Sequence, residues 1–259
     1  MKNIFSLALV FLSVVCLQAQ PQAVAGAQKI NPTTVEVLLD GNRRMTFDFY
    51  GDNIVRLFQD NSGGILRAPE AEPEAQILVD NPRQRVSALD VNDQNGVISI
   101  STEKIAIQID KATSLLRVMN RKTGKIAFEE VKPIVFEKGK VTLTFKEHPD
   151  EYFYGGGVQN GRFSHKGKTI EIENQNSWTD GGVASPTPFY WSTNGYAVMW
   201  HTFKKGRYAF GSEEKGLVQL FHTDVMLGCP DKPEPMYVGM WKRMYSHSPP
   251  VWSPDQMVA

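Results

Sequence analysis

Apolar residues recur at every second position through most of this chain, and that spacing limits the fold more than any other feature. Val35, Val37 and Leu39 repeat this way, as do Met45, Phe47 and Phe49, and further on Val141, Leu143 and Phe145. Similar short runs occupy 54–58, 77–79, 97–100 and 105–109. A strand sends successive side chains to opposite faces, so this spacing makes half-buried strands. Turn residues separate the runs, as at Asp40-Gly41-Asn42 and Gly51-Asp52-Asn53. The stretch 120–124 joins two strand-like runs and reads as a hairpin turn, with Gly124 at the position that needs positive φ. No segment keeps helical spacing over three turns, and no repeat of about 20–50 residues is evident. Many short strands punctuated by turns predict an all-β fold, an antiparallel β-sandwich.

Of the 259 residues, 41% are hydrophobic, enough for one sizeable core. Lys+Arg and Asp+Glu both number 28, so the net charge is zero. That balance lacks the basic excess that a nucleic acid or an anionic membrane surface would call for. Residues 1–20 read as a secretory signal peptide: Lys2, a short apolar run, then small residues around Ala19. The run is too short for a comfortable membrane span, and the mature protein is expected to be exported, periplasmic or secreted. Cys16 raises a lipoprotein alternative, which Val15 weakens because lipoprotein signals carry a small residue there. Cleavage leaves Cys229 as a single thiol, so no internal disulfide is expected. The sandwich is expected to occupy 21–221, with the Pro/Glu-rich stretch 69–74 as an exposed loop.

Aromatic rings, amides, carboxylates and glycines crowd together between Glu151 and Gly211. Gly155-Gly156-Gly157 lacks the strand-to-helix setting and the Lys of a phosphate loop, and reads as a bend or bulge at a sheet edge. Glu171 and Glu173 alternate with Ile170 and Ile172. On a strand the two carboxylates share one face, roughly 7 Å apart, near the separation of an acid/base pair for glycoside hydrolysis. The plainer reading is a solvated face with both isoleucines turned inward. Trp178, Phe189, Tyr190, Trp191, Tyr196 and Trp200 form the densest aromatic cluster. Half of these rings are expected in the core, Trp200 among them. Trp178 has Ser177, Thr179, Asp180 and two glycines around it and reads as an exposed loop residue. Aromatic faces stack on sugar rings, and Asn174, Asn176 and Asp180 offer partners for hydroxyls. None of the five histidines has a metal-ligating partner at close spacing, so no metal and no cofactor is expected. No catalytic residue is assigned.

The segment Glu151-Tyr152-Phe153-Tyr154-Gly155-Gly156-Gly157 resembles the "FYGLGE"-type segment in the N-terminal domain of glycoside hydrolase family 31. The polar Asn/Trp/Asp loop that follows, and the stretch from Pro188 to Val198, look like that family's strand-turn-strand. The stretch 207–211 looks like the short strand after it, and the hairpin at 120–124 fits as well. The resemblance spans roughly 30 to 221. It implies a galactose-mutarotase-like sandwich and a retaining enzyme acting on α-glycosides in oligosaccharides. It implies that the loop from Asn174 to Asp180 reaches toward the sugar. It also implies that the nucleophile and the acid/base belong to a C-terminal (β/α)8 barrel. Such a barrel takes about 250 residues, and 38 follow Phe221. The barrel is therefore expected to be missing. The tail 222–259 holds six of the 15 prolines and five of the nine methionines, and its alternation is lost. A reading frame shifted near His222 is the favoured expectation there. A free-standing carbohydrate-binding or scaffold sandwich is the other reading of the whole chain.

Overall fold

The computed structural model describes residues 23–59, 85–137, 140–161, 163–200, 202, 204–223 and 236–239. The expected leader 1–20, the run 77–79, Cys229, His201 and His247 lie outside the described residues. Among the described residues every regular element but one short 3-10 turn is a strand. In chain order the strands are β1 (Val24–Asn31), β2 (Thr34–Leu39), β3 (Arg43–Gly51), β4 (Ile54–Gln59), β5 (Asp90–Gln94), β6 (Val97–Ser101), β7 (Ile105–Asp110), β8 (Leu116–Asn120) and β9 (Ile126–Glu137). They continue as β10 (Lys140–Lys146), β11 (Phe153–Gln159), β12 (Thr169–Ile172), β13 (Val183–Ser192), β14 (Tyr196–Trp200), β15 (Gly206–Phe210), β16 (Leu217–Thr223) and β17 (Met236–Gly239).

These strands make two antiparallel sheets, as the alternation predicts. One runs β1-β2-β3-β4-β17-β14-β13-β11, the other β12-β15-β16-β10-β9-β8-β7-β6-β5. The alternating side chains face each other between the sheets. Val35, Phe47 and Leu57 come from the first, and Ile98, Ile107, Leu143 and Leu220 from the second, all buried. Burying side chains of this size contributes about 1.5–3 kcal/mol each. An aromatic seam ties β11 and β13 to the second sheet. Phe153 stacks on Phe210 with centroids 4.6 Å apart, and Tyr190 meets Phe210 edge-on at 5.1 Å.

The hairpin at 120–124 forms as expected, with Gly124 at φ 69° and its N–H bonded to the Asn120 carbonyl at 2.8 Å. Two strands escape the alternation rule. β5 is polar and exposed because it sits at the edge of its sheet. β17 comes from the Pro/Met-rich tail yet lies inside the first sheet, with Val238 opposite Val55 on β4 and Val198 on β14. β16 also passes the expected boundary at 221 and ends at Thr223. The sandwich thus draws its last strand, β17, from the tail.

Candidate functional site

The region around β11 is built on its three glycines. β11 is the outer strand of its sheet, and its pairing with β13 slips between Gly155 and Gly157. All three glycines have positive φ, between 74° and 109°. A Cβ at Gly157 would lie 2.1 Å from the Ser185 carbonyl oxygen, and one at Gly155 would lie 2.8 Å from that of Phe189. The triplet is therefore a bulge at a sheet edge where two backbones touch. The chain then folds back over that edge. His165 donates from its backbone N–H to the Phe153 carbonyl at 2.9 Å and from Nε2 to the Gly155 carbonyl at 2.8 Å. Lys166 reaches the carbonyls of Pro149 and Glu151 at 2.6 and 2.7 Å.

Past the bulge stands the loop that carries the four expected contact residues. Trp178 is 73% exposed. Its indole N–H donates to Asn176 Oδ1 at 3.2 Å, so the polar edge of the ring is engaged. Asn176 has φ 49°, a left-handed conformation that asparagine tolerates better than most residues. Asn174 Oδ1 accepts the Asn176 backbone N–H at 3.1 Å, closing an Asx turn. Asp180 is exposed, and its carboxylate rests against Gly161, where a Cβ would come within 3.2 Å of Oδ1. The structure brings all four residues onto one loop but divides the labour among them. Asn174 and Asn176 shape the turn, while Trp178 and Asp180 remain open to solvent.

The remaining carboxylate pair is accounted for by the surface. Glu171 lies on the outer face of β12 and Glu173 is the exposed residue just past its end, with Ile170 and Ile172 buried beneath. Glu171 pairs with Arg207 at 3.2 Å and Glu173 with Lys205 at 3.9 Å, both on the neighbouring chain segment. The solvated-face reading holds, and neither carboxylate sits in a hydrophobic setting fit for a general acid. Of the aromatic cluster, Tyr190, Tyr196 and Trp200 are buried, as half were expected to be. Burial pushes the Tyr190 and Tyr196 phenols well above their usual range.

The domain model that describes the glycosyl hydrolase 31 N-terminal galactose mutarotase-like domain matches residues 44–208. This chain belongs to that family. The glycosyl hydrolase 31 match contains β11, the Trp178 loop and β13, the elements that carry the resemblance in the sequence. α-Xylosidase A of Aspergillus niger is 37% identical over 71 residues, which cover 27% of this chain and 9% of that enzyme. A Flavobacterium johnsoniae dextranase solved with isomaltotriose superposes with a TM-score of 0.72 at 17% identity, over 87% of this chain and 27% of its own. The cycloalternan-forming enzyme of Listeria monocytogenes, solved with a pentasaccharide substrate, gives 0.70 at 16% identity, over 85% and 21%. At such identities these structures speak for the fold. The chain spans about a fifth to a quarter of the length of these two enzymes.

Two features of this glycosyl hydrolase 31 domain have no clear sequence signal. Asn160, directly after β11, bonds to the Trp178 loop from 17 residues away. Phe163, 88% exposed, stands edge-on to Tyr154 at 5.5 Å, and Tyr154 stacks on Trp191 at 4.4 Å. Only the density of rings hints at that outer stack. Among the described residues no cluster of three His, Cys, Asp or Glu side chains is placed to hold a metal ion.

Proposed function

We propose that this chain is the pocket-shaping N-terminal domain of an exported, retaining α-glycosidase of the α-glucosidase or α-xylosidase type that acts on oligosaccharides. The observation that carries this reading is Trp178, 73% exposed at the head of a tied-down polar loop. A pyranose ring has an apolar face of C–H groups that stacks on an indole, and its hydroxyls donate to a carboxylate such as Asp180. The loop gives one wall of a sugar site and no chemistry of its own. Retaining hydrolysis needs a nucleophile and an acid/base about 5–5.5 Å apart across the scissile bond. Glu171 and Glu173 face solvent with basic partners instead. The catalytic pair is instead the one that the family resemblance implies, on a (β/α)8 barrel following this domain in the intact enzyme. Export rests on the signal-like sequence of residues 1–20. The oligosaccharides bound by the dextranase and the cycloalternan-forming enzyme support the substrate class.

The test is titration of the purified chain with malto-, isomalto- and xylo-oligosaccharides, together with an aryl α-glycoside assay. The expected result is no turnover, and binding at about 1 mM or weaker that disappears in Trp178→Ala. Turnover that Glu171→Ala abolishes would overturn the reading, and so would sugar binding indifferent to Trp178→Ala.

A further inference from the structure

Asn160 stands at the exit of β11 and touches the Trp178 loop in its middle and at its far end. Its backbone N–H donates to the Gly182 carbonyl at 3.0 Å, and its carbonyl accepts from Gly181 at 2.9 Å. These bonds close the far end of the loop and do not depend on the side chain. The side chain does something separate. Its Nδ2 donates to the Ser177 carbonyl at 2.7 Å. That carbonyl belongs to the peptide plane joining Ser177 to Trp178, so the bond sets the backbone orientation from which the indole projects. Ser177 is held again by its own N–H to the Val183 carbonyl at 2.9 Å. The ring edge is held by a second bond, from the indole N–H to Asn176 Oδ1 at 3.2 Å, whose geometry depends on the backbone that Asn160 holds.

We propose that Asn160 is the positioning residue of the Trp178 platform and that Asn176 sets the ring's orientation. The proposal rests on the sugar-platform reading of this loop. Trp178 is 73% exposed, so burial does little to hold its ring. A free indole on a surface loop would lose rotamer and backbone freedom when a ligand stacks on it, which weakens binding. Asn160 and Asn176 settle that ordering before the ligand arrives. With its N–H engaged, the indole offers its flat faces rather than a hydrogen bond. Asn174 supports the arrangement through Asn176, and Asp180 is left as the acidic group beside the platform.

The test uses the full chain, labelled with 15N, and follows the Trp178 indole N–H, identified by its absence in Trp178→Phe. Asn160→Asp keeps the shape of the side chain and sets an acceptor against the Ser177 carbonyl. Asn176→Gly keeps the left-handed backbone and removes the acceptor of the indole N–H. Losing one hydrogen bond of about 1 kcal/mol corresponds to about a fivefold change. Both variants are expected to exchange the indole proton with solvent about fivefold faster, well below the melting temperature. Oligosaccharide affinity is expected to fall by a similar factor. A loss of overall stability alone would leave the indole signal of the folded protein unchanged. Indole exchange unaltered in Asn160→Asp overturns the role of Asn160, and unaltered exchange in Asn176→Gly overturns that of Asn176, whatever the sugar does. Faster exchange in a protein that binds no sugar supports the positioning role and removes only the sugar reading. If Asn160→Asp does not fold, the exchange rate in Asn160→Ser decides.

Discussion

Glu130 and His222 are buried titratable groups with opposite effects on stability. Glu130 accepts the Leu116 N–H at 3.0 Å through Oε2, and Oε1 has no hydrogen-bond partner among the described residues. Burial pushes its carboxyl up to about 8, against the pull of that one bond. A carboxyl raised in the folded state binds more protons there than in the unfolded chain. Its contribution is fully present below about 4.5 and is lost as pH rises toward about 8. His222 runs the other way. Its Nδ1 faces the Lys204 carbonyl at 3.0 Å, and a carbonyl only accepts, so Nδ1 carries the proton. Nε2 is then the acceptor of the Tyr208 hydroxyl at 2.7 Å. Burial lowers the imidazole to about 4, more than its bonds to the backbone of Lys204 and Lys205 raise it. Stability from this neutral histidine is present above about 6.5 and is lost as pH falls toward about 4. The two slopes oppose each other between about 4.5 and 6.5, so stability should peak there. Urea unfolding across pH checks this. Glu130→Gln should flatten the alkaline limb and make the protein more stable at pH 8 than the wild type. His222→Gln should flatten the acid limb. A Glu130→Gln profile that still falls from pH 6 to pH 8 would remove the carboxyl as its cause.

At the scale of elements, β11 shows how an outer strand is kept from pairing with strangers. Its edge carbonyls at Phe153 and Gly155 are engaged by His165 from the turn that follows, and that of Gly156 by the Gln159 side chain at the strand's own end. An outer strand with free backbone groups is a template for aggregation, and this covering removes it. The glycine bulge makes the covering possible, which gives a test by contrast. Gly157→Ala meets both a positive φ and the Ser185 carbonyl and should cost about 2–5 kcal/mol. Gly167→Ala has a similar φ of 70° and no atom within 4 Å of the new Cβ. It should cost only about 1–2 kcal/mol. Denaturation midpoints compare the two, and equal losses would mean that close approach at Gly157 carries no penalty. The same contrast explains what could be read in advance. The inner strands were legible because Val35, Ile107 or Phe145 must turn to one face. β5 was not, because an outer polar strand such as Asp90–Gln94 has no inner face to mark it. Trp178 was legible as a loop residue from its polar and glycine neighbours. The work of Asn174 and Asn176 was not, because amides that could bind a ligand equally well bind the chain two residues away. Asn160 gave no sign at all, since its partner lies 17 residues distant.

For the whole molecule, the unusual feature is where the last strand goes. β17 fills the place between β4 and β14, so the first sheet is continuous only through the tail. Ending the chain after Thr223 would leave two facing strand edges bare in mid-sheet. Such a protein should melt several degrees lower and scatter light on heating, compared with the full chain. An unchanged melting curve would mean that β17 adds nothing to the sandwich. The placement also has a consequence in time. β4 is made early and its partner late, with the stretch 60–235 between them. At about 5–20 residues per second that interval lasts on the order of 10–35 s of synthesis. Throughout it, the growing chain carries an unmatched β4 edge close to identical edges on neighbouring nascent chains. Anything that keeps this edge covered until β17 arrives raises the share of the protein that reaches its folded form.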